Sequence, residues 1–204
     1  MDVNMRHFIF GTGGFAKEVR FILLRNGICD HDIFSIARED EDVVIKNNIS
    51  QQFYMGIGDP NSRERVFKKI EKFNLRFPNL VDKHSVVNQD LNKIGFGNIF
   101  CAGSIVTIDS LIGNFNVFNL HTTLGHDTQV GDFCIFSPGA KISGNCKIEN
   151  KVYFGTNSSI LENLNVSSDI VVGASALVTK NLNKKGTYVG VPCKLINKKE
   201  IKNG

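Results

Sequence analysis

From Ile94 onward, every sixth residue of this chain is apolar. Steps of six reach fifteen consecutive aliphatic or phenylalanine residues, the last of which is Val178. Only 42% of the chain is hydrophobic, so chance does not account for an unbroken run of this length. A six-residue period predicts a parallel β-helix, in which each hexapeptide supplies one short strand and one turn.

Three hexapeptides make one triangular coil of 18 residues, so every third member of the run should stack on the coil below. Sorting the run in this way puts four phenylalanines in one ladder, although the period was chosen without reference to them. The residue after each repeat position is mostly small, which lets the backbone turn sharply at the corners. The predicted faces are Ile94, Ile112, Val130, Ile148 and Val166; Phe100, Phe118, Phe136, Phe154 and Val172; and Val106, Leu124, Ile142, Ile160 and Val178.

Two of the five histidines lie close together within the repeat, in NLHTTLGHDTQVGDF (residues 119–133). In the predicted coil His121 and His126 fall in the turns of consecutive hexapeptides, near two different corners. They are therefore not expected to ligate one metal ion, and the sequence offers no third ligand at a suitable spacing, so we expect no metal site.

The first 78 residues have an α/β pattern, which predicts a small parallel, Rossmann-like sheet. The sequence predicts an α/β domain at residues 1–78, with a boundary near Pro78, and a β-helix domain with a C-terminal tail at 79–204. The predicted elements of the first domain are an apolar strand that runs into glycines at 7–13, a helix in 15–27 that stops at a glycine, strands at 32–37 and 52–57 with an irregular acidic stretch between them, and a helix at 63–73.

Two glycine-rich turns follow strands of this α/β pattern. GTGGFA opens a helix, so its amides and the helix N-terminus suit a phosphate; GIGDPN ends a later strand, where ligands of open α/β sheets bind. The alternative is that the glycines only make the turns. Because the domain is short and IFSIARED lacks a ribose-binding acid, a nucleotide-sugar diphosphate is favoured over NAD. The candidate substrate-binding residues are Gly11, Thr12, Gly13, Gly14, Phe15 and Gly58.

His126, followed by Asp127, is the candidate general base. An imidazole accepts a proton at neutral pH, and a neighbouring carboxylate can fix its tautomer. The alternative is an exposed turn histidine with a solvated aspartate, and His121 is interpreted as structural. The five cysteines are odd in number and form no CxxC pair, so they are interpreted as reduced, buried thiols, with Cys134 and Cys146 used for packing.

The charge and hydropathy of the chain limit the kinds of partner that it is expected to bind. The formal net charge of +4 comes from scattered lysines and a basic tail, which gives nucleic-acid binding little support. No apolar run approaches the roughly 20 residues that span a bilayer, and no signal peptide is recognised. We therefore expect a cytoplasmic protein. The tail lysines are Lys194, Lys198, Lys199 and Lys202.

The hexapeptide repeat, GTGGFA before it, NLHTTLGHDTQVGDF within it and YVGVPCK after it together resemble bacterial sugar acetyltransferases of the sialic acid O-acetyltransferase and UDP-bacillosamine N-acetyltransferase type. The likeness spans nearly the whole chain. It implies a left-handed β-helix, an exception to the usual right-handed crossover, and a homotrimer. It also implies acetyl-CoA in the groove between neighbouring β-helices and a nucleotide sugar on the N-terminal domain.

The resemblance also implies roles for single residues. His126 takes the place of the catalytic base, Asp127 that of the acidic residue after it, and Asn119 that of a residue near the sugar. Gly144 matches a site where a backbone amide meets the thioester. The other positions matched to CoA are Thr156, Ala174, Val191 and Lys194. The chain departs from some members at Cys134 and Ile135, where they carry a second histidine, and at Gly14 and Phe15, where they carry His or Ser.

The activity implied is acetyl-CoA-dependent N-acetylation of a nucleotide-linked amino sugar, a 4-amino-4,6-dideoxyhexose, in bacterial surface glycan biosynthesis. Transfer would be direct, with His126 as the base. One alternative is O-acetylation of a sialic acid or related sugar. Another is a non-catalytic β-helix scaffold, such as the hexapeptide proteins that bind zinc through three histidines; the absence of a third suitable histidine disfavours the zinc version.

Overall fold

The computed structural model of the chain describes residues 5–38, 41–88 and 92–196. The tail lysines at 198, 199 and 202 lie outside these residues. None of the helices within the described residues is long and apolar enough to cross a membrane.

The N-terminal residues form a three-stranded parallel sheet, as predicted. Its strand order is β2-β1-β3, and His7 pairs with both Ile33 and Gln52. The elements are β1 (His7–Phe10), α1 (Gly14–Arg25), β2 (Ile33–Ile36), α2 (Glu41–Asn47), β3 (Gln52–Met55) and α3 (Pro60–Ile70), with 3-10 turns at Asp30–Asp32 and Glu71–Phe73.

Two helices differ from the prediction. The first, α3, begins at Pro60 rather than residue 63, because the Asp59 side chain accepts a hydrogen bond from the Ser62 amide at 2.7 Å and proline suits the first helical position. The second, α2, forms in a stretch predicted to be irregular. Its Ile45 is fully buried in the core of the domain, so tertiary packing stabilises a helix too short to be stable alone.

The described residues from Leu80 onward form a left-handed parallel β-helix, with an antiparallel last strand at Lys194–Ile196, which confirms the predicted fold. Face I contains Leu80–Val81, Ile99–Phe100, Val117–Phe118, Ile135–Phe136, Tyr153–Phe154, Ile170–Val172, Gly186–Val189 and Lys194–Ile196. Face II contains Val86–Val87, Ile105–Val106, Thr123–Leu124, Lys141–Ile142, Ser159–Ile160 and Leu177–Val178. Face III contains Lys93–Ile94, Leu111–Ile112, Gln129–Val130, Lys147–Ile148 and Asn165–Val166.

The 18-residue register is confirmed on all three faces. Phe118 pairs with Phe136, Leu124 with Ile142 and Val130 with Ile148. The phenylalanine ladder on face I is stacked, with ring centroids 4.9, 4.9 and 5.5 Å apart from Phe100 to Phe154. These rings fill the interior of the prism.

The β-helix extends beyond the repeat counted from the sequence. Val81 pairs with Phe100 and Val87 with Val106, so the ladder begins earlier than Ile94. Val87 and Ile94 are seven positions apart rather than six, and this extra residue hides the first coil from a six-residue count. At the other end, Tyr188 pairs with Val172 and continues face I.

A second aromatic cluster joins the α/β domain to the β-helix. Phe115 and Phe133, at the corner between faces III and I, stack at 5.4 Å. Phe67 of α3 lies 4.6 Å from Phe115, and Phe77 lies 5.0 Å from it, measured between ring centroids. The contact fixes α3 against the corner.

Arg63 of α3 is fully buried at the same junction. Its Nε and Nη2 donate to the Phe115 carbonyl at 3.1 and 2.9 Å, and its Nη1 donates to the carbonyls of Met55 and Ile57 at 2.6 and 2.9 Å. The guanidinium therefore links β3, the second glycine turn and the β-helix corner through carbonyl oxygens. Burial lowers its pKa below the usual value for arginine.

Replacing Arg63 with lysine should destabilise the protein by about 2 kcal/mol, because a single ammonium cannot reach both sides of the junction and leaves buried carbonyls unpaired. Denaturant unfolding measures this. Arg65→Lys is the matched control, since Arg65 is exposed on the same helix. Equal stability of the two variants would show that the Arg63 contacts do not join the domains.

Candidate active site

His126 and Asp127 lie at the corner between faces II and III, as the coil register predicts. His126 Nδ1 is 2.7 Å from Asp127 Oδ2, and the two side chains are 65% and 60% exposed. Asp127 has φ of 57°, a left-handed conformation that aspartate tolerates better than most residues. With Nδ1 engaged by the carboxylate, Nε2 is the nitrogen available to accept a proton.

The His126 imidazole lies over Gly144, which is one coil further along the chain. A Cβ built on Gly144 would be 2.6 Å from Nε2 and 2.7 Å from Cε1 of the imidazole. Only glycine leaves room for the ring here. The predicted catalytic and thioester positions are thus in contact, although 18 residues separate them.

The backbone amides near Nε2 are not equivalent. The Asn145 amide donates to the His126 carbonyl at 2.8 Å and thereby fixes the corner. The Gly144 amide donates to no other described residue. The Gly144 N–H is therefore the candidate donor to an oxyanion formed beside Nε2.

Replacing Gly144 with alanine should lower kcat/KM about 10²-fold, because the new methyl displaces the imidazole by about 1 Å. Steady-state kinetics measure the loss, and a melting curve shows whether the coil stays folded. In a His126→Ala background the same change should have almost no further effect. An additive loss in the double variant would mean that the methyl acts elsewhere.

The two glycine turns lie side by side at the carboxyl ends of β1 and β3. A Cβ on Gly11 would lie 3.0 Å from the Gly56 carbonyl oxygen, and one on Gly58 would lie 3.8 Å from the Phe15 Cβ. Gly13 caps α1 without any side-chain hydrogen bond, and the space beside Gly13 and Gly14 is open. The N-terminal amides of α1 are therefore arranged as in sites that hold phosphate.

A cavity of about 270 Å³ opens beside this helix, between α1, the second glycine turn and the outer side of face I. It brings together four predicted site residues, three assigned to the substrate and one to CoA. We call it the α1–face I cavity. Its lining residues are Phe15, Glu18, Gly58, Val117, Asn119, Ile135, Ser137, Pro138, Tyr153 and Thr156.

The positions assigned to CoA are divided between corners of the prism. Gly144 lies beside His126 at the corner of faces II and III. Thr156 and Ala174 are stacked on successive coils at the corner of faces I and II, where the Ser175 amide donates to the Thr156 carbonyl at 2.8 Å. Val191 is exposed on the C-terminal turn, and Lys194 is exposed at the start of the last strand. The turn is anchored by a hydrogen bond from the Cys193 amide to the Leu177 carbonyl at 2.8 Å.

A wider groove of about 880 Å³ runs along the outer side of face III, between Asn92 and Ser168. None of the predicted site residues lines it. The residues that the sequence proposes for chemistry therefore lie outside this groove, at the corners of the prism and beside α1.

His121 lies at the corner of faces I and II, one corner away from His126, so the two do not form a ligand pair. A Cβ on Gly103 would lie 2.5 Å from His121 Nδ1, which places this ring over the preceding coil. One group in the described residues has three potential metal-ligand atoms within 4.8 Å of one another: Cys29, His31 and Asp32, in the exposed turn before β2.

The prediction that all five cysteines are buried is wrong for Cys29, which is exposed. The other four are buried. Burial raises the pKa of the Cys134 thiol to about 12, and that of Cys146 is also raised, chiefly by burial. Both thiols are neutral at physiological pH and pack inside the prism, as interpreted from the sequence.

The fold has close counterparts among solved structures. Perosamine N-acetyltransferase from Caulobacter crescentus, in complex with CoA and GDP-perosamine, aligns with a TM-score of 0.85 at 20% identity, over 94% of this chain and 97% of that one. The acetyltransferase domain of PglB from Neisseria gonorrhoeae, in complex with acetyl coenzyme A, aligns with a TM-score of 0.88 at 21% identity, over 95% and 100%. The chain has the fold of these acetyltransferases.

WeeI from Acinetobacter baumannii aligns with a TM-score of 0.85 at 25% identity, over 94% of this chain and all of that one. No protein-family model and no curated protein sequence matches the chain. The similarity of this chain to these acetyltransferases is therefore one of three-dimensional fold, and the six-residue repeat had predicted the β-helix of that fold.

Six of the ten residues that line the α1–face I cavity were not predicted as site residues: Glu18, Val117, Ile135, Ser137, Pro138 and Tyr153. Arg63, which fixes α3 against the corner of the β-helix, was not predicted either. Nothing in the sequence singled out Glu18, because glutamate is common on amphipathic helices. Tyr153 did carry a signal, since it is the outward-facing residue before a repeat position on face I, one coil after Ile135.

Proposed function

We propose that the protein transfers an acetyl group from acetyl-CoA to the amino group of a nucleotide-linked sugar, a 4-amino-4,6-dideoxyhexose, in the cytoplasm, for bacterial surface glycan biosynthesis. The observation that carries this is the His126 imidazole, with Nδ1 held by Asp127 and Nε2 over Gly144. It stands on a β-helix of the same fold as an enzyme solved with CoA and GDP-perosamine.

The proposed reaction is direct transfer without an acyl-enzyme. The sugar ammonium first loses a proton to solvent, and the neutral nitrogen attacks the thioester carbonyl carbon while His126 Nε2 takes a second proton from it. The Gly144 N–H stabilises the oxyanion. Collapse of the intermediate breaks the C–S bond, and the departing thiolate takes the proton from the imidazolium. The products are the N-acetylated sugar and CoA.

The site is proposed to be completed by a second copy of the chain. Within one chain, His126 and Gly144 lie at one corner of the prism, while Asn119 and Thr156 lie at another with the glycine turns. We propose a homotrimer in which acetyl-CoA lies between neighbouring β-helices, so that one copy supplies His126 and Gly144 and the next supplies Thr156 and Ala174. Residues 1–78 hold the nucleotide sugar, and 79–204 hold CoA, including Val191 and Lys194.

Mixing two inactive variants tests this shared site. Chains with His126→Ala and chains with the bulky change Gly14→Trp, which blocks the α1 N-terminus, should each be inactive alone. After the mixture is dissociated and reassembled, some sites combine an intact base with an intact sugar site, and activity should return. Failure to recover activity in mixed oligomers, shown by mass spectrometry to form, would place the whole site in one chain.

The reaction itself is tested with UDP-, dTDP- and GDP-linked 4-amino-4,6-dideoxyhexoses and acetyl-CoA. Mass spectrometry should find the mass of one added acetyl group on one of these sugars, with an equal amount of CoA released. Acetylation of a sialic acid hydroxyl in preference to every amine would replace the proposal with O-acetylation. No transfer to any acceptor, with acetyl-CoA bound, would leave a binding scaffold.

A further inference from the structure

The α1–face I cavity carries a single charge. Glu18 is the one ionisable carboxylate among its ten lining residues, and no lysine, arginine or histidine lines it. The rest of the surface is apolar or neutral: Phe15, Val117, Ile135 and Pro138 give carbon contacts, and Asn119, Ser137 and Thr156 give hydrogen-bonding groups. Such a site attracts a cation and repels an anion.

The charge of Glu18 is not neutralised by the protein. Glu18 is exposed on α1 and forms no ion pair or hydrogen bond with another described residue. Two lysines, Lys151 and Lys185, border a neighbouring cavity, and both pair with Asp169, at 3.2 and 3.4 Å. The Glu18 carboxylate is therefore free to attract a cationic group of a ligand.

A thiol close to Glu18 provides no compensation either. Burial, with smaller contributions from the charges of Glu18 and Asp82, raises the pKa of the Cys101 thiol to about 12. Cys101 is thus a neutral, buried group that cannot offset the charge of Glu18.

The neutral polar groups of the cavity are also oriented. Ser137 Oγ donates to the Tyr153 hydroxyl oxygen at 2.9 Å. The Tyr153 hydroxyl hydrogen therefore remains available to a ligand, as does Asn119 Nδ2, while Asn119 Oδ1 already accepts a hydrogen bond from the Leu120 amide at 2.7 Å. A sugar that enters the cavity meets hydrogen-bonding groups at Asn119, Ser137 and Tyr153, an apolar wall at Val117 and Ile135, and one carboxylate.

We propose that Glu18 selects an acceptor sugar that carries an ammonium group and excludes one that carries a carboxylate. The inference rests on the proposed function and deepens it. The Glu18 carboxylate accepts a hydrogen bond from the ammonium as the sugar binds, Val117 and Ile135 contact the deoxygenated edge of the ring, and an acidic sugar such as sialic acid is repelled. Glu18 acts on binding before the amine is deprotonated, so it is a specificity residue and not the base.

The test compares wild type with Glu18→Gln, which keeps the size and removes the charge. For the amino sugar, KM should rise about tenfold while kcat changes less than about twofold, because a charge-assisted hydrogen bond in a partly exposed site is lost. The affinity for the N-acetylated product, which keeps the nucleotide diphosphate but has no ammonium group, should be unchanged when measured by calorimetry. Glu71→Gln, an exposed carboxylate outside the cavity, is the matched control and should leave all three values unchanged.

Failure of this inference can be told apart from failure of the proposed function. If wild type acetylates an amino sugar but Glu18→Gln leaves its KM unchanged, or weakens binding of the amino sugar and of the N-acetylated product equally, Glu18 does not select the ammonium charge. If wild type acetylates no amine yet binds amino sugars more tightly than acidic ones, and Glu18→Gln removes that preference, the selection stands and the reaction is different.

Discussion

Replacing His126 with alanine should lower turnover by about 10²–10⁴-fold, the usual contribution of a positioned general base. The amine can still be held beside the thioester, but no group accepts its proton as the C–N bond forms. The KM values for both substrates should change little, because the imidazole acts in the transition state rather than in binding. Steady-state kinetics with the amino sugar identified as substrate measure both.

The His126→Ala protein should fold as the wild type does. The side chain is 65% exposed and contributes little to the interior, so the melting temperature should be within a few degrees of wild type. His31→Ala is a control for removal of an imidazole, since His31 is 80% exposed in the turn before β2. A His126→Ala rate within threefold of wild type would refute the assignment of the base and show that another residue has this role.

A substitution at Asp127 distinguishes the orientation of the His126 imidazole from its role in proton transfer. Asparagine at this position tolerates the left-handed backbone and keeps the shape of the side chain, but it can present its NH₂ rather than an oxygen to Nδ1. The tautomer with a free Nε2 lone pair is then less favoured. We expect Asp127→Asn to lose less activity than His126→Ala and to do so through kcat.

The β-helix was predictable because its signal is repeated. Each coil restates the same register, so a ladder such as Phe100, Phe118 and Phe136 follows from the period alone. The same register placed His126 and Gly144 on one column of the prism. The break of seven residues before Ile94 shows the limit of this method, since a single insertion removed the first coil from the count.

The features that sequence analysis missed depend on contacts between distant segments. Phe115 and Phe133 occupy left-handed turn positions, with φ of 55° and 58°, where a bulky residue is unexpected. They are held there by each other and by Phe67, which lies on α3. The α1–face I cavity likewise joins Phe15 to Thr156, residues with no pattern in common. A periodic pattern predicts a tube and its corners, but not what packs against them.

Replacing Phe136 with alanine should lower the stability of the protein and leave its turnover nearly unchanged, which is the opposite of the effect expected for His126→Ala. Phe136 is fully buried, and its ring is stacked between Phe118 at 4.9 Å and Phe154 at 5.5 Å. Removal leaves a cavity in a rigid tube whose neighbouring coils are fixed by hydrogen bonds, so we expect a loss of about 3–5 kcal/mol in the free energy of unfolding. Urea unfolding measures it.

Two further variants show whether the lost side-chain volume causes the loss of stability in Phe136→Ala. Phe136→Leu fills most of the space and should recover more than half of the loss, since volume-conserving changes usually cost less than about 1.5 kcal/mol. Phe21→Ala, which removes a ring that is 57% exposed on α1, should cost less than about 1 kcal/mol. If Phe136→Ala cost no more than Phe21→Ala, the ladder would not stabilise the tube. Below its melting temperature, Phe136→Ala should keep a near-normal kcat, because the reacting groups lie at a corner and the ladder lies inside, so stability and turnover are lost separately.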